Sequence, residues 1–365
     1  MRTKIRRYVR VLLFLLLGLL LLYLITRGQN VELIIQELRQ ANYLWVFLAM
    51  ICAIVSHFLR AVRWNRLIRT MGYKTKPFQT FYAVMTGYLA NLAIPRMGEI
   101  TRCVTLSKAS KTPFNALAGT VVAERVFDFF TMMAIVVFTI VFQFNFLRSF
   151  IRQTFVDPVI QKSADNWSLL AIVTAIAILL FAGLIVFVRH KRRNSKNALF
   201  FLKIQRHLKG FINGIKTIKR MKGKGWFVFH TILIWGLYYM TVYLCFYAIP
   251  ATSHLSPVAG LTLLAVGSLG ILAPVPGGIG TYHFLTIITL RELYHIAGEP
   301  ATSYAYITHA TQIVVNIVAG TISWIILSLQ QKTKQHVQQT PTSDTKNPAN
   351  GSTGKIATDD SLLAL

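Results

Sequence analysis

Apolar runs long enough to cross a bilayer constrain this chain more than any other feature of its sequence. A transmembrane helix takes about 20 mostly apolar residues. Residues 12–26, 43–59, 117–143, 168–188, 226–249 and 303–329 provide six such runs. The first is short, but Tyr8 and Val9 extend it and Arg10 reaches water by snorkelling. Composition agrees: 54% of residues are hydrophobic and only 14% charged, where a soluble domain carries roughly a quarter charged residues. The expected fold class is an all-α polytopic membrane protein.

The net charge of +27 raises nucleic acid as a partner. The way the charge is distributed argues for a membrane surface instead. Residues 1–10 hold five Lys/Arg, 60–78 hold six, and 189–224 hold thirteen, while 27–42, 144–167, 250–257 and 290–302 are poor in them. Rich and poor loops alternate, so the positive-inside rule places both termini in the cytoplasm. No loop is large enough for a basic soluble domain, and no nucleic acid is expected. The setting expected is a bacterial inner (plasma) membrane, with the first run kept as a signal anchor because LITRGQN offers no small-x-small cleavage site.

Within 189–224, Phe200, Phe201, Ile204, Leu208, Phe211, Ile212, Ile215 and Ile218 recur at helical spacing, with lysines and arginines on the other face. This reads as a basic amphipathic helix on the cytoplasmic leaflet, or equally as a topogenic loop. Residues 1–330 form the membrane domain, and 331–365 read as a disordered cytoplasmic tail. Cys52, Cys103 and Cys245 have no pairing or metal spacing, and the nine histidines form no zinc motif, so no metal or cofactor is expected.

Two further apolar regions are interrupted. Residues 79–106 break at PRMGEITR, and both flanks are basic; residues 258–297 break at APVPGGIG, and both flanks are poor in Lys/Arg. Each therefore leaves and returns on one side, from opposite sides, as a re-entrant hairpin or as short tilted spans. Pro95, Pro274 and Pro276 interrupt the helices. Gly98 lies in the first break, and Gly277, Gly278 and Gly280 permit positive φ or close approach in the second. The expectation is six full spans plus two broken segments, eight in all. Broken segments at matching places in two halves point to an inverted-repeat transporter, although no residue-level repeat links the halves.

The first break carries Arg96, Glu99 and Arg102, and the next span opens with Glu124, Arg125 and Asp128. Glu124 and Asp128 are i, i+4 and share a helix face. The six charges sum to zero. They read either as salt bridges pinning the hairpin to the next helix, or as a polar cavity for a headgroup, with arginines for phosphate and carboxylates for a cationic group. His283, beside the second break, reads as a packing residue or part of that site. His309, Gln312 and Asn316 form a polar stripe that bonds neighbouring helices.

The order P-R-x-G-E-x-x-R (95–102), E-R-x-x-D (124–128) and P-x-P-G-G-I-G (274–280) resembles the lysylphosphatidylglycerol synthase transmembrane-region family, also called flippase-like or UPF0104 membrane proteins. The resemblance spans about residues 8–330. It implies two re-entrant elements meeting near the membrane centre and movement of a phospholipid or glycolipid between leaflets. It carries site positions onto Pro95, Arg96, Gly98, Glu99, Arg102, Glu124, Arg125, Asp128, Pro276, Gly277, Gly278 and Gly280. It departs at His283, where many members have an acidic residue.

The function expected is a lipid flippase-like transporter for an anionic, aminoacylated or glycosylated headgroup, rather than an enzyme. No ATP-binding P-loop occurs in the sequence, so transport is expected to be downhill or ion-coupled. The alternatives are a lipid-modifying transferase of the phosphatidylglycerol lysyltransferase kind, or a non-transporting membrane subunit that partners an envelope glycosyltransferase.

Overall fold

A computed structural model describes residues 2–143 and 223–339, with side chains described over 12–143 and 223–330. The expected span at 168–188, the amphipathic loop at 189–224 except for its last two residues, and residues 340–365 lie outside it. Among the described residues there are ten α-helices and no strands. Four are long and apolar enough to cross a membrane: α3 (Tyr43–Thr70), α6 (Phe114–Phe142), α7 (Lys224–Leu244, continued by a 3-10 turn to Ala248) and α10 (Gly298–Gln339).

A bent pair passes the same test of length and composition only when its two helices are counted as one span. Helix α1 (Arg2–Thr26) is followed by α2 (Val31–Gln40), turned by 93°. Six full spans were expected; among the described residues four long helices and this bent pair fall on five of them, and the sixth, 168–188, lies outside the described residues. Residues 31–40 had been read as part of a loop. They form a capped helix because Asn30 accepts from the N–H groups of Glu32 (2.9 Å) and Leu33 (3.4 Å). Gln29 and Asn30 tie this corner to the start of α10, where Thr302 Oγ1 donates to Gln29 Oε1 at 2.7 Å and Glu299 Oε1 accepts from Asn30 N–H at 3.3 Å.

Helix α3 is longer than its apolar run. It was expected to stop at residue 59, with 60–78 as a cytoplasmic loop, yet it continues to Thr70 with Arg60, Arg63 and Asn65 buried. Each of the three has a polar partner. Asn65 Oδ1 accepts from Thr80 (2.5 Å) and from Thr75, which fixes the turn into the next helix. Helix α10 also overruns, entering the stretch expected to be tail and ending at Gln339.

Both interrupted regions are helical hairpins. The first pairs α4 (Pro77–Ala93) with α5 (Met97–Ser110); the second pairs α8 (Pro257–Leu272) with α9 (Thr281–Ile288) and a π-turn to Leu293. At 17, 14, 16 and 8 residues these helices are shorter than a typical span. Pro95 ends α4, and Arg96 opens α5 in the left-handed region at φ 63°. The first hairpin opens where α3 ends and α6 begins, the second where α7 ends and α10 begins. Helices α3 and α7 are antiparallel, since Arg63 meets Thr231 while Ala49 lies beside Thr241. The hairpins therefore open toward opposite ends of the bundle.

Glycines let the hairpin legs and their neighbours touch. Gly98 was expected at the turn itself; it sits in the first turn of α5, against the backbone of Gly87 on α4, and its N–H donates to Asn91 Oδ1 at 2.6 Å. In the second break Gly277, Gly278 and Gly280 take φ of 60°, 75° and 86°. The backbone of Gly280 packs on that of Gly18, which seats α1 across this turn. The two breaks approach each other: a Cβ on Gly277 would stand 3.3 Å from Leu92 near the end of α4. Helix α10 supports both, with His309 Nε2 2.9 Å from the Gly277 carbonyl.

Candidate functional site

The charged residues separate into two groups that the sequence had merged. The inner group gathers Arg60 and Arg63 from α3, Arg102 from α5, and Glu124 and Asp128 from α6. Arg60 Nε donates to Glu124 Oε1 at 2.7 Å and its Nη2 to Asp128 Oδ2 at 2.6 Å. Arg63 Nη2 lies 3.3 Å from Glu124 Oε1 and 2.7 Å from Asp128 Oδ1. Arg102 Nη1 is 3.0 Å from Glu124 Oε2. Helical geometry explains the meeting: Glu124 and Asp128 are one turn apart on α6, and Arg60 and Arg63 one turn apart on α3.

An uncharged shell holds these groups in place. Arg60 Nη1 also donates to the hydroxyls of Tyr88 (2.8 Å) and Tyr238 (3.2 Å), and Arg63 Nη1 to Thr231 (3.0 Å). The Arg102 guanidinium lies 4.7 Å from the Trp64 ring centre, a favourable cation–π placement. Trp64 itself donates to Thr120 at 2.8 Å. At 1.5 Å per residue, Arg60 lies about 15 Å before the end of α3 and Glu124 about 15 Å after the start of α6, so both reach one depth from one end.

The balance of charge is uneven. Three buried guanidinium groups face two carboxylates, and Glu124 is fully buried. Arg102 Nε and Nη2 are buried without a hydrogen-bond partner among the described residues. Ionised groups are rarely left so.

The outer group is a single pair, Arg125 Nη2 to Glu99 Oε1 at 3.0 Å, on the outer side of the α5/α6 seam and partly exposed. Arg96 joins neither group and is exposed at the break. His283 lies in the second hairpin, buried, with its Nδ1 accepting from Gly280 N–H at 3.3 Å and its ring 4.7 Å from that of His309. One site made of all seven residues is therefore not what the structure shows. Arg60 and Arg63 were missed because they were counted as positive flank; their i, i+3 spacing just before Trp64, directly after an apolar run, was the available signal. No three His, Cys, Asp or Glu side chains come together as metal ligands among the described residues.

The fold and the inner charge cluster define a polytopic α-helical membrane protein built on two opposed hairpins. The chain belongs to the lysylphosphatidylglycerol synthase transmembrane-region family, whose model matches residues 11–320. It is similar to a UPF0104 membrane protein of Methanocaldococcus jannaschii, 26% identical over 82% of this chain and 89% of that one. It is also similar to the glycosyltransferase AglD of Haloferax volcanii, 24% identical over 91% of this chain and 57% of that one. A UPF0104 membrane protein of Methanothermobacter thermautotrophicus is 25% identical over 73% of this chain and 80% of its own length. No solved structure matches.

Proposed function

We propose that this chain moves a lipid with a phosphate-bearing headgroup between leaflets, while the acyl chains stay in the bilayer. The observation that carries this reading is the inner cluster's surplus guanidinium, Arg102, with two N–H-bearing nitrogens that have no hydrogen-bond partner among the described residues. A phosphate oxygen pair matches a guanidinium fork. A charge held in a membrane interior is costly enough to point to function. The two hairpins, opening to opposite ends, support an inverted-repeat arrangement in which a site lies between broken segments. Arg102 is only 3% exposed, so the headgroup reaches it when the first hairpin shifts.

The headgroup is anionic, aminoacylated or glycosylated. The likeness to a protein named a glycosyltransferase favours the last of these. The basic end of the bundle, where both ends of the described chain lie, faces the cytoplasm. The relatives described above are archaeal, so the bacterial inner membrane rests on sequence expectation alone. Proteoliposomes carrying headgroup-labelled lipids of the three classes test the reading. Protein-dependent movement of one class is expected, and movement of none contradicts it.

A second reading has one observation in its favour. The chain aligns with just over half of AglD's length, which suits a membrane region that serves a glycosyltransferase without transporting. Co-purification of such an enzyme, with no lipid movement, would select it.

A further inference from the structure

Helix α1 lies across the second break, and little holds it there. Among its residues with described side chains Gly18 alone is buried, while Leu13, Leu16, Leu20 and Leu24 are each 51–60% exposed. A Cβ on Gly18 would overlap the Ile279 carbonyl oxygen and stand 2.9 Å from Val275 Cγ1, and a Cβ on Gly280 would overlap the Gly18 carbonyl. The seat is thus backbone laid on backbone, with no interlocking side chain from α1. The other attachment is the corner into α2. Gly28 takes a φ of 83°, and nothing lies within 4 Å of where its Cβ would stand. Gln29 follows as a pivot: its side chain donates to the Ile25 carbonyl of α1 at 2.9 Å and accepts from Thr302 of α10 at 2.7 Å. Beyond it α2 is docked, with Ile34 buried in the core and its carbonyl accepting from Ser303 Oγ at 3.4 Å. What α1 covers is irregular backbone. Between α8 and α9, residues 273–280 hold only a 3-10 turn at Pro276–Gly278. Such backbone at membrane depth is tolerated only where protein or water covers it.

We propose that α1 is a lateral gate over the second break, swinging about Gly28 while α2 stays docked on α10. Closed, the Gly18 seat shields the turn from the bilayer. Open, it exposes the Gly277–Gly280 backbone sideways, so that a polar group can reach the turn without crossing the bundle. A glycine seat suits this part, because a contact of two backbones separates without any side chain having to change rotamer. A helix meant as a fixed prop would be expected to interlock through its leucines, and these face outward instead. The gate rests on the lipid-transport reading for its purpose, but not for its test, which reads a distance.

The test measures distances between spin labels in the full chain in proteoliposomes, with Cys52, Cys103 and Cys245 changed to alanine. One pair, Leu13→Cys with Leu272→Cys, reads α1 against the second hairpin; the other, Leu33→Cys with Val314→Cys, reads α2 against α10. All four positions are exposed. The first pair is expected to show two distances and the second pair one. Gly18→Val should leave only the longer of the two. Non-bonded carbons meet at about 4 Å, so the added side chain lifts α1 by roughly 2 Å at Gly18. Gly18 lies about 15 Å along α1 from Gly28, and Leu13 about 22 Å, so the shift at Leu13 should be about 3 Å. Gly18→Ala, a smaller intrusion, should favour the longer distance without removing the shorter, and it keeps the test open if the valine variant does not fold. A single Leu13–Leu272 distance in the protein with Gly18 intact would make α1 a fixed prop and overturn the proposal. So would a shift shared by the Leu33–Val314 pair, since α1 and α2 would then move as one body. Lipid movement in the same vesicles separates this failure from failure of the transport reading: two distances without lipid movement retain the gate and remove the transporter, and lipid movement with one distance does the reverse.

Discussion

Arg63 on α3 and Asp128 on α6 meet at 2.7 Å, and both lie well inside a helical bundle that their sequence neighbours mark as membrane-embedded. Arg63 is wholly buried, and Asp128 is 14% exposed. The contact joins a helix end read from sequence as a cytoplasmic loop to a helix start read as a binding site. It changes the charge balance of the whole cluster from neutral to positive.

Removing a carboxylate from this cluster should damage the fold. Glu124→Gln leaves three guanidinium groups facing Asp128 alone. Loss of one partner in a buried ion pair costs about 3–5 kcal/mol. Thermal unfolding of the detergent-solubilised protein should fall markedly, and an unchanged midpoint would show that the cluster is not what holds α3 and α6 together.

The first hairpin should not tolerate side chains where its legs touch. A Cβ on Gly98 would meet the Gly87 carbonyl and stand 2.6 Å from the Asn91 side chain. Gly98→Ala is expected to cost about 1–3 kcal/mol through overpacking. Gly119→Ala is its control, since nothing lies within 4 Å of the added carbon there, and a helical Gly→Ala change is favourable by up to about 1 kcal/mol. The two midpoints should move in opposite directions.

Arg96 should accept glycine without loss. Its φ of 63° is left-handed, which costs a side-chain-bearing residue about 1–2 kcal/mol. It is also exposed and outside both ion-pair groups. Arg96→Gly should hold or raise the unfolding midpoint. A large drop would show that the guanidinium has a structural partner.

His309 should act as a prop for the second break. Its Nε2 lies 2.9 Å from the Gly277 carbonyl, and its ring stacks on Tyr282 at 4.8 Å. His309→Leu leaves that part-buried carbonyl unanswered, at a cost of about 1–3 kcal/mol. His309→Gln, which keeps a donor, should recover part of it. Equal losses in the two variants would assign the effect to ring stacking alone.

The parts legible in the sequence were those with a periodic or stereochemical signature. Hydropathy located α3, α6, α7 and α10, because a span must be apolar over its length. Pro95 and the PVPGG run located the two breaks, because each removes or redirects backbone hydrogen bonds. The i, i+4 spacing of Glu124 and Asp128 placed them on one face. Partners supplied by distant segments were not legible. Arg60 and Arg63 carry the same charge as a topogenic flank, and only packing against α6 distinguishes them. Glu99 and Arg125 looked like members of one network with Arg102 and Glu124. Helical spacing turns Arg125 away from the face of Glu124 and Asp128, but it does not say that Glu99 is the partner Arg125 meets there. Helix α2 was hidden by its length, since ten residues with a charged face resemble a loop when only spans are sought.

The central claim is that Arg102 is the cluster's functional surplus rather than a structural member. Replacing it leaves two guanidinium groups facing two carboxylates, so Arg102→Met should unfold within about 1 kcal/mol of the unmodified chain, as replacement of a buried ionic group by an apolar one of similar size allows. Lipid movement should then be measured in proteoliposomes holding equal amounts of the two proteins. The account predicts a folded Arg102→Met protein that moves no labelled lipid. A folded protein that still moves lipid at the unmodified rate would contradict it.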